Sequence, residues 1–480
     1  MTRFIQLSEK GFSGMFDFGL PVWLIIIFWL SIPFTLYILL ANVSYLLMKR
    51  SKRARGSIPD GDEVVVAVLG DLGHSPRTLN QARQFAKLGY HVYLAGYLES
   101  DLPTSFYDND DITVEALKVI RNDSNLPYLI FAGYKVIAQF YTLWKSFSEL
   151  IDDKTKYVML QNPPCIPALA VLCLLKFTHY PHIKLIIDWH NLNYTISNLK
   201  FKNLNHPLVR FLKYYEKILS RKFVDYNLTV TEKMAKFLIE DFGLNKKKVM
   251  TLYDKPSDNF VSLKSQSEAD HIMGEIPELF NISPKYEPKK DHIVVVSSSF
   301  TEDEDFTILV DALIKLESKM LASNVGSKVF VFVTGKGPLK GNFIKMVNSH
   351  DWSKKKVIIK TAWLPIRLYP ELLKLADIGV SLHYSSSGLD LPMKIVDLFG
   401  CGIPALSLNF GCIDESVKHG VNGLVMKDNK NADEMCDKIY NLFYEDPNSL
   451  LKLKEGAKIE SESRWEDEWT SKLARTFKKK

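Results

Sequence analysis

The hydrophobic pattern divides the chain into a leading apolar stretch and two alternating halves. Residues 18–48 carry no charged side chain, and their apolar heart spans 22–47. As a helix that heart would be about 40 Å long, against about 30 Å of bilayer hydrocarbon. It predicts one membrane span, tilted or kinked at Pro33. A cleaved signal peptide fits less well, because the stretch is too long and the dense positive charge follows it. Residues 63–69 then read as a buried strand, the loop 70–77 follows, and a helix is predicted from about 79 to 88. Gly89 stops that helix and 91–97 forms the next strand, which is a βαβ opening. Further strands fall at 157–160, 184–188 and 226–230. From 254 to 290 the periodicity fades and Ser, Pro and charges accumulate, so that stretch reads as a linker. The alternation restarts with strands at 292–298, 328–334, 357–361 and 378–383 and a helix at about 305–320. The expected fold class is α/β, with two doubly wound sheets and ligands at the carboxyl ends of the strands.

Composition fits this division. A chain of 480 residues exceeds one typical domain, and 46% hydrophobic with 12% aromatic residues suffices for large cores. The net charge of +6 is modest. Lys49, Arg50, Lys52, Arg53 and Arg55 cluster just after the apolar stretch, which predicts that everything after it lies in the cytosol. Neither this cluster nor the run 478–480 is interleaved with aromatics and glycines, so no nucleic acid is expected as a partner. The five cysteines, at 165, 173, 401, 412 and 436, form no C-x-x-C pair. An odd set without a framework points to a reducing compartment and away from zinc or disulfides. Asn-x-Ser/Thr triplets at Asn122, Asn193, Asn227 and Asn281 read as chance matches, since Asn227 falls in an apolar strand. Two more apolar stretches, 131–147 and 165–177, suit either a membrane interface or buried core helices.

Candidate chemistry sits in the loops. Ser385, Ser386, Ser387 and Gly388 follow a strand and precede an amphipathic helix. Small residues before a helix N-terminus make an anion site. Asp397, one turn past Lys394 in that helix, can accept hydrogen bonds from vicinal sugar hydroxyls. This pairing suits a sugar-nucleotide diphosphate. Gly335 and Gly337 follow a buried strand, as do Gly70 and Gly73, but neither pair makes the G-x-G-x-x-G fingerprint with its later acid, which disfavours a dehydrogenase. The acidic run 302–305 reads as a helix cap with Thr301 and Glu304 as a capping box, leaving metal use open. Asp71, His74 and Arg77 lie on one N-terminal loop and Asp188, His190 and Asn191 on another. Both loops should open into the interdomain cleft.

In order and spacing, the segments 70–77, 301–306, 334–339, 385–402 and 422–425 resemble glycosyltransferase family 33, the chitobiosyldiphosphodolichol β-mannosyltransferases. The resemblance runs from about residue 64 to 469. It implies a GT-B fold and transfer of mannose from GDP-mannose, with inversion, to dolichol-diphosphate chitobiose, forming the first β-1,4-mannose. It also implies work on the cytosolic face of the endoplasmic reticulum membrane, in a single-pass protein that other mannosyltransferases of the pathway could accompany. The chain then divides into a lumenal segment 1–20, an anchor 21–48, a basic linker 49–61 and an acceptor- and membrane-facing domain 62–254. An interdomain linker 255–290, a GDP-mannose-binding domain 291–455 and a C-terminal helix with a basic tail 456–480 complete it.

By the same resemblance Asp397 holds the ribose, residues 385–388 the diphosphate, and Gly335 and Gly337 lie beside the nucleotide. Lys336 or Lys394 supplies the cation that this chain lacks after its first C-domain strand. Asp71 is the first choice of base and His190 the second. Gly70, Gly73, His74, Arg77 and Asn191 face the acceptor, with Arg77 on its diphosphate. No metal ligand is assigned and no cofactor is required, although a divalent cation such as Mg stays open. The rival readings are a later α-mannosyltransferase of the same pathway and a non-catalytic GT-B membrane subunit.

Overall fold

The computed structural model describes residues 62–479, apart from 124, 126 and 366. The expected anchor at 21–48 and its flanks at 1–20 and 49–61 lie outside the described residues. Among the described residues, no helix is long and apolar enough to cross a membrane.

The N-terminal half runs β1 (Glu63–Asp71), α1 (Pro76–Lys87), β2 (His91–Tyr97), β3 (Ile112–Ala116), α2 (Tyr128–Leu150), β4 (Thr155–Asn162), α3 (Ala168–Thr178) and β5 (Lys184–Trp189). It continues with α4 (Asn193–Phe201), α5 (Pro207–Phe223), β6 (Tyr226–Thr229), α6 (Glu232–Glu240) and β7 (Val249–Thr251). Its seven strands pair in the order β3-β2-β1-β4-β5-β6-β7, all parallel. The pattern behind β1 is legible: residues 63–69 are all buried, because helices cover both faces of a parallel sheet. Val65, Ala67 and Leu69 face the core shared with α2, α3, α5 and α6, while Val64, Val66 and Val68 face α1. The stretch 165–177 is therefore core. Six of the eleven residues of α3 are buried, and Phe177 at its end is exposed.

The C-terminal half begins earlier than expected. Residues 266–280, read as linker, form α7 (Gln266–Glu275) and a further turn of helix. Ile272, Ile276, Leu279 and Phe280 pack beneath the second sheet. The helix is short and capped by Ser265, so too few apolar positions repeat to show a period. The remaining elements are β8 (His292–Ser297), α8 (Phe306–Ala322), β9 (Val329–Thr334), α9 (Lys340–Asn348), β10 (Val357–Ala362), α10 (Leu368–Lys374) and β11 (Ile378–Ser381). After them come α11 (Met393–Gly400), β12 (Ala405–Ser407), β13 (Gly423–Val425), α12 (Ala432–Tyr440), α13 (Pro447–Glu462) and α14 (Trp465–Trp469). The six strands pair in parallel in the order β10-β9-β8-β11-β12-β13.

The C-terminal segment, expected as a helix with a basic tail, also carries core residues. Beyond α13 it crosses back to the first domain, where Trp465, Trp469, Leu473 and Phe477 join the core against α1. Trp469 Nε1 donates to Gln81 Oε1 at 2.7 Å, and Tyr90 Oη donates to the Phe477 carbonyl at 2.9 Å. Four apolar residues spaced by four were visible in the sequence, but the charges between them masked the stripe.

Candidate active site

The two sheets meet along the carboxyl ends of their strands. From the first domain, Asn191 Nδ2 donates to Asp390 Oδ1 at 2.9 Å and to Ser386 Oγ at 3.3 Å. Thr231 Oγ1 donates to the Leu389 carbonyl at 2.6 Å. The backbone N–H groups of Glu232 and Lys233, at the start of α6, donate to the Glu415 carboxylate at 2.7 and 2.9 Å. A cavity of about 310 Å³ lies between the domains, lined by Tyr253, Asp254, Leu391, Val396, Phe399 and Glu415 among others.

On the C-terminal side the serine loop is built around Asp390. This carboxylate accepts from Ser385 Oγ and, at 3.1 Å, from Ser387 Oγ. The Gly388 and Leu389 N–H groups donate to Ser385 Oγ and Ser387 Oγ at 2.8 and 3.2 Å. Two of the N–H groups expected to face a phosphate are thus used within the loop. Gly388 needs its lack of a side chain, with φ +71°. Asp397, on α11, accepts from Tyr369 Oη at 3.3 Å, and Ser297 Oγ lies 3.0 Å from the same Tyr369 oxygen. Burial pushes the Asp397 pKa up to about 7, and the charge of Asp254 adds to this against the opposing effects of Tyr369 and Lys394.

Lys394 donates to the buried carboxylate of Glu304, which also accepts from Ser298 Oγ at 2.7 Å and Ser299 N–H at 3.0 Å. Glu304 is therefore not part of a capping box with Thr301. Asp305 caps α8 instead, accepting from Thr307 N–H at 2.9 Å. Glu304 turns inward because the loop after β8 otherwise leaves buried donors unpaired. Gly335 and Gly337 serve close packing: a Cβ at Gly335 would lie 1.8 Å from the Ser298 carbonyl, and one at Gly337 would lie 1.9 Å from that of Ser299. Lys336 extends over the exposed Trp363 ring, 4.6 Å from its centroid.

Sequence reasoning missed His383. Its Nδ1 lies 2.9 Å from Asp303 Oδ2 and its Nε2 3.4 Å from Asp390 Oδ2. Burial alone would lower its pKa, but the bonds and charges of the two carboxylates outweigh this and push it up to about 9. An imidazolium thus stands behind the serine loop at neutral pH. The only signal in the sequence was a histidine at a strand end, which most often bonds a backbone carbonyl.

On the N-terminal side two expectations need correction. Asp71 accepts from Ser100 Oγ at 2.5 Å, His74 Nδ1 at 2.6 Å and the N–H groups of Glu99 and Ser100 at 3.1 Å each. Burial would raise its pKa, but those four bonds hold the carboxyl well below the usual carboxylate range. So satisfied a carboxylate is a poor proton acceptor, and it clamps the loop after β1 to the loop after β2. A Cβ at Gly73 would lie 2.9 Å from Ser100 Cβ, so that glycine permits the clamp, whereas Gly70 makes no such close approach. Arg77, expected on the acceptor diphosphate, is buried. It bonds Asp188 through Nε at 2.9 Å and Nη2 at 2.8 Å, and Nη1 reaches Asp254 and the Leu252 carbonyl. An Arg so buried satisfies its donors internally. His190 is different. Its ring is partly exposed, with Nε2 3.5 Å from Asp188 Oδ2, and its backbone N–H donates to the Asn162 carbonyl at 2.7 Å. His74 is largely exposed, with its Nδ1 held by Asp71. Among the described residues, no group of three His, Cys, Asp or Glu side chains is placed to hold a metal ion.

The chain is 44% identical to the chitobiosyldiphosphodolichol β-mannosyltransferase of Debaryomyces hansenii, over 99% of each chain. It is 41% identical to the Candida albicans protein of the same name, again over 99% of each. The chain belongs to the chitobiosyldiphosphodolichol β-mannosyltransferase family. Within it, residues 279–460 match the wider family Glycosyl transferases group 1, which spans nearly all of the second domain. Solved structures share the fold. A glycosyltransferase from Rickettsia africae superposes with a TM-score of 0.58 at 16% identity, covering 88% of this chain and 98% of that one. Sucrose-phosphate synthase from Thermosynechococcus elongatus does so at 0.63 and 12%, covering 87% and 98%. The two facing parallel sheets of this β-mannosyltransferase family member are a GT-B fold.

Proposed function

We propose that the protein transfers mannose from GDP-mannose to the chitobiose of a dolichol-diphosphate acceptor, with inversion, forming a β-1,4 bond. The observation that carries this reading is the near-full-length identity to relatives bearing that name, together with a cleft whose two sides suit donor and acceptor. The donor sits on the second domain. Asp397 accepts the ribose hydroxyls, and the serine loop and Lys394 face the diphosphate, with the His383 imidazolium behind that loop. The acceptor hydroxyl approaches from the first domain. His190, whose Nε2 lies 3.5 Å from Asp188 Oδ2, takes its proton as that oxygen attacks the mannose anomeric carbon. The bond from that carbon to the GDP oxygen breaks with its electron pair, and positive charge stabilises the departing diphosphate. Residues 21–48 anchor the protein in the endoplasmic reticulum membrane, with both domains in the cytosol. Other mannosyltransferases of the pathway would be neighbours there.

Purified full-length protein incubated with GDP-mannose and a dolichyl- or phytanyl-diphosphate chitobiose tests this. The product should lose its mannose to a β-mannosidase. Release by an α-mannosidase would indicate a later enzyme of the pathway, and no product would indicate a non-catalytic subunit. Either result overturns the proposal.

A further inference from the structure

Residues 191–223 carry seven Lys and Arg against one acid, Glu216, and that acid is buried. The segment contains α4 and α5. On α5 the buried side is set by Val209, Leu212, Glu216 and Ser220. Leu208, Phe211, Tyr214 and Ile218 are all exposed. At 3.6 residues per turn these four fall within about 120° of arc, opposite the buried side. Arg210, Arg221 and Lys222 flank the stripe and are exposed. Helix α4 adds exposed Ile196 and Leu199, with Lys200 and Lys202 just beyond. On the outer surface of the same helical layer, α2 exposes Ile130, Tyr134, Ile137 and Tyr141 at helical spacing. Both α2 and α5 pack on α3 and share one core.

An apolar stripe flanked by cations and free of exposed acids matches the surface of an anionic bilayer. The stripe is also continuous with the active site. Asn191 and Thr195, at the start of α4, contact Ser386 of the serine loop, and Leu199 lines a cavity with Tyr384 and Asp303. One helical hairpin therefore reaches from the cleft to the apolar surface.

The geometry points to the α4–α5 hairpin as a second membrane contact, independent of residues 21–48, which lays the first domain on an anionic lipid surface and aligns the cleft with the lipid-borne diphosphate. This rests on the proposal that the acceptor is a dolichol-linked sugar. The cations meet lipid phosphates while Leu208, Phe211 and Ile218 enter the headgroup boundary.

The test uses full-length protein in proteoliposomes of phosphatidylcholine alone or with phosphatidylserine. The five native cysteines are buried, so Phe211→Cys can be labelled selectively with an environment-sensitive fluorophore, and Ile459→Cys, exposed on α13, serves as the control. The label at 211 should shift to the blue in anionic vesicles and be quenched by doxyl lipids, while that at 459 stays water-like. The triple variant Leu208→Ser, Phe211→Ser, Ile218→Ser should lose at least tenfold in kcat/KM on bilayer-embedded acceptor and keep wild-type kcat on a short-chain acceptor in detergent. A water-like label at 211 in anionic vesicles overturns the inference. So does a blue shift that doxyl lipids do not quench, which would mark a protein partner on this face. Absence of transfer by the wild type on both acceptors would overturn the mannosyltransferase reading, and the fluorescence result would stand apart from it.

Discussion

Replacing Asp397 with Asn isolates one carboxylate in the proposed donor site. In the free protein burial holds this group at a pKa of about 7, against 3.8 for an ordinary Asp. If the ionised form binds the ribose hydroxyls, apparent donor affinity scales with the ionised fraction. That fraction is about one-eleventh at pH 6 and ten-elevenths at pH 8, so affinity should rise about tenfold between them. GDP-mannose has no group of its own titrating in that window. Above pH 8 the trend should reverse, because the His383 imidazolium behind the serine loop, with a pKa of about 9, gives up its charge. In Asp397→Asn the rise between pH 6 and 8 should vanish. Affinity at pH 8 should fall about 10- to 150-fold, the value of hydrogen bonds to a charged group at about 1.5–3 kcal/mol. The fold should survive, since Asn still accepts from Tyr369. The unliganded wild type carries the converse signature: its folded pKa is above the unfolded value, so stability present below about pH 4 is lost as pH rises through 7. Calorimetric titration with GDP-mannose from pH 6 to 9, without acceptor, measures the binding profile, and urea unfolding of the free protein from pH 4 to 8 measures the stability change. A flat wild-type profile, or an Asn variant with wild-type affinity, would remove Asp397 from the site.

His190→Gln should lower kcat by about 10²–10⁴-fold with substrate affinities intact, whereas Asp71→Asn should cost less than about tenfold in kcat and lower the melting temperature. Steady-state kinetics showing the reverse order would restore Asp71 as the base. Gly335→Ala should destabilise the protein by at least about 1 kcal/mol and weaken GDP-mannose binding, because φ is +132° and the added Cβ meets the Ser298 carbonyl. An unchanged thermal midpoint would contradict it. Trp469→Ala should cost about 3–5 kcal/mol in urea unfolding, since the ring is buried and its N–H bonds Gln81. A loss below about 1 kcal/mol would mean the C-terminal crossing is dispensable. Removal of residues 1–50 should leave turnover on a short-chain acceptor in detergent, as the proposed anchor only raises local concentration at the membrane. A folded but inactive truncation would place that segment in the site.

The two parallel sheets were legible because a strand buried on both faces needs an unbroken apolar run, and β1, β8 and β9 supply one each. Short or half-exposed strands gave less. β3 and β7 sit at the sheet edge, where fewer apolar positions are required, and they left no recognisable run. The domain crossing at the C-terminus escaped notice for a different reason. Trp465 and Trp469 are separated by charged residues, and only the partner surface on α1 shows which face is buried.

The same distinction explains the site. Asp397 was legible as a candidate because helix position and apolar neighbours are local properties, carried by adjacent residues. The bonding of Asp71 and Arg77 was not legible because most of their partners are remote in sequence. Ser100 reaches Asp71 across 29 positions, and Asp188 reaches Arg77 across 111. A loop can announce that it carries a carboxylate or a guanidinium, but whether that charge is free to meet a substrate depends on which donors and acceptors the fold returns to it. For Asp71 the fold returns four donors, which removes its basicity. For Arg77 it returns two carboxylates and a carbonyl, which removes its reach. His190 keeps a partly exposed ring, with its buried Nε2 at 3.5 Å from Asp188. That contrast, and not its position in a motif, is why the proposed mechanism gives the proton to His190.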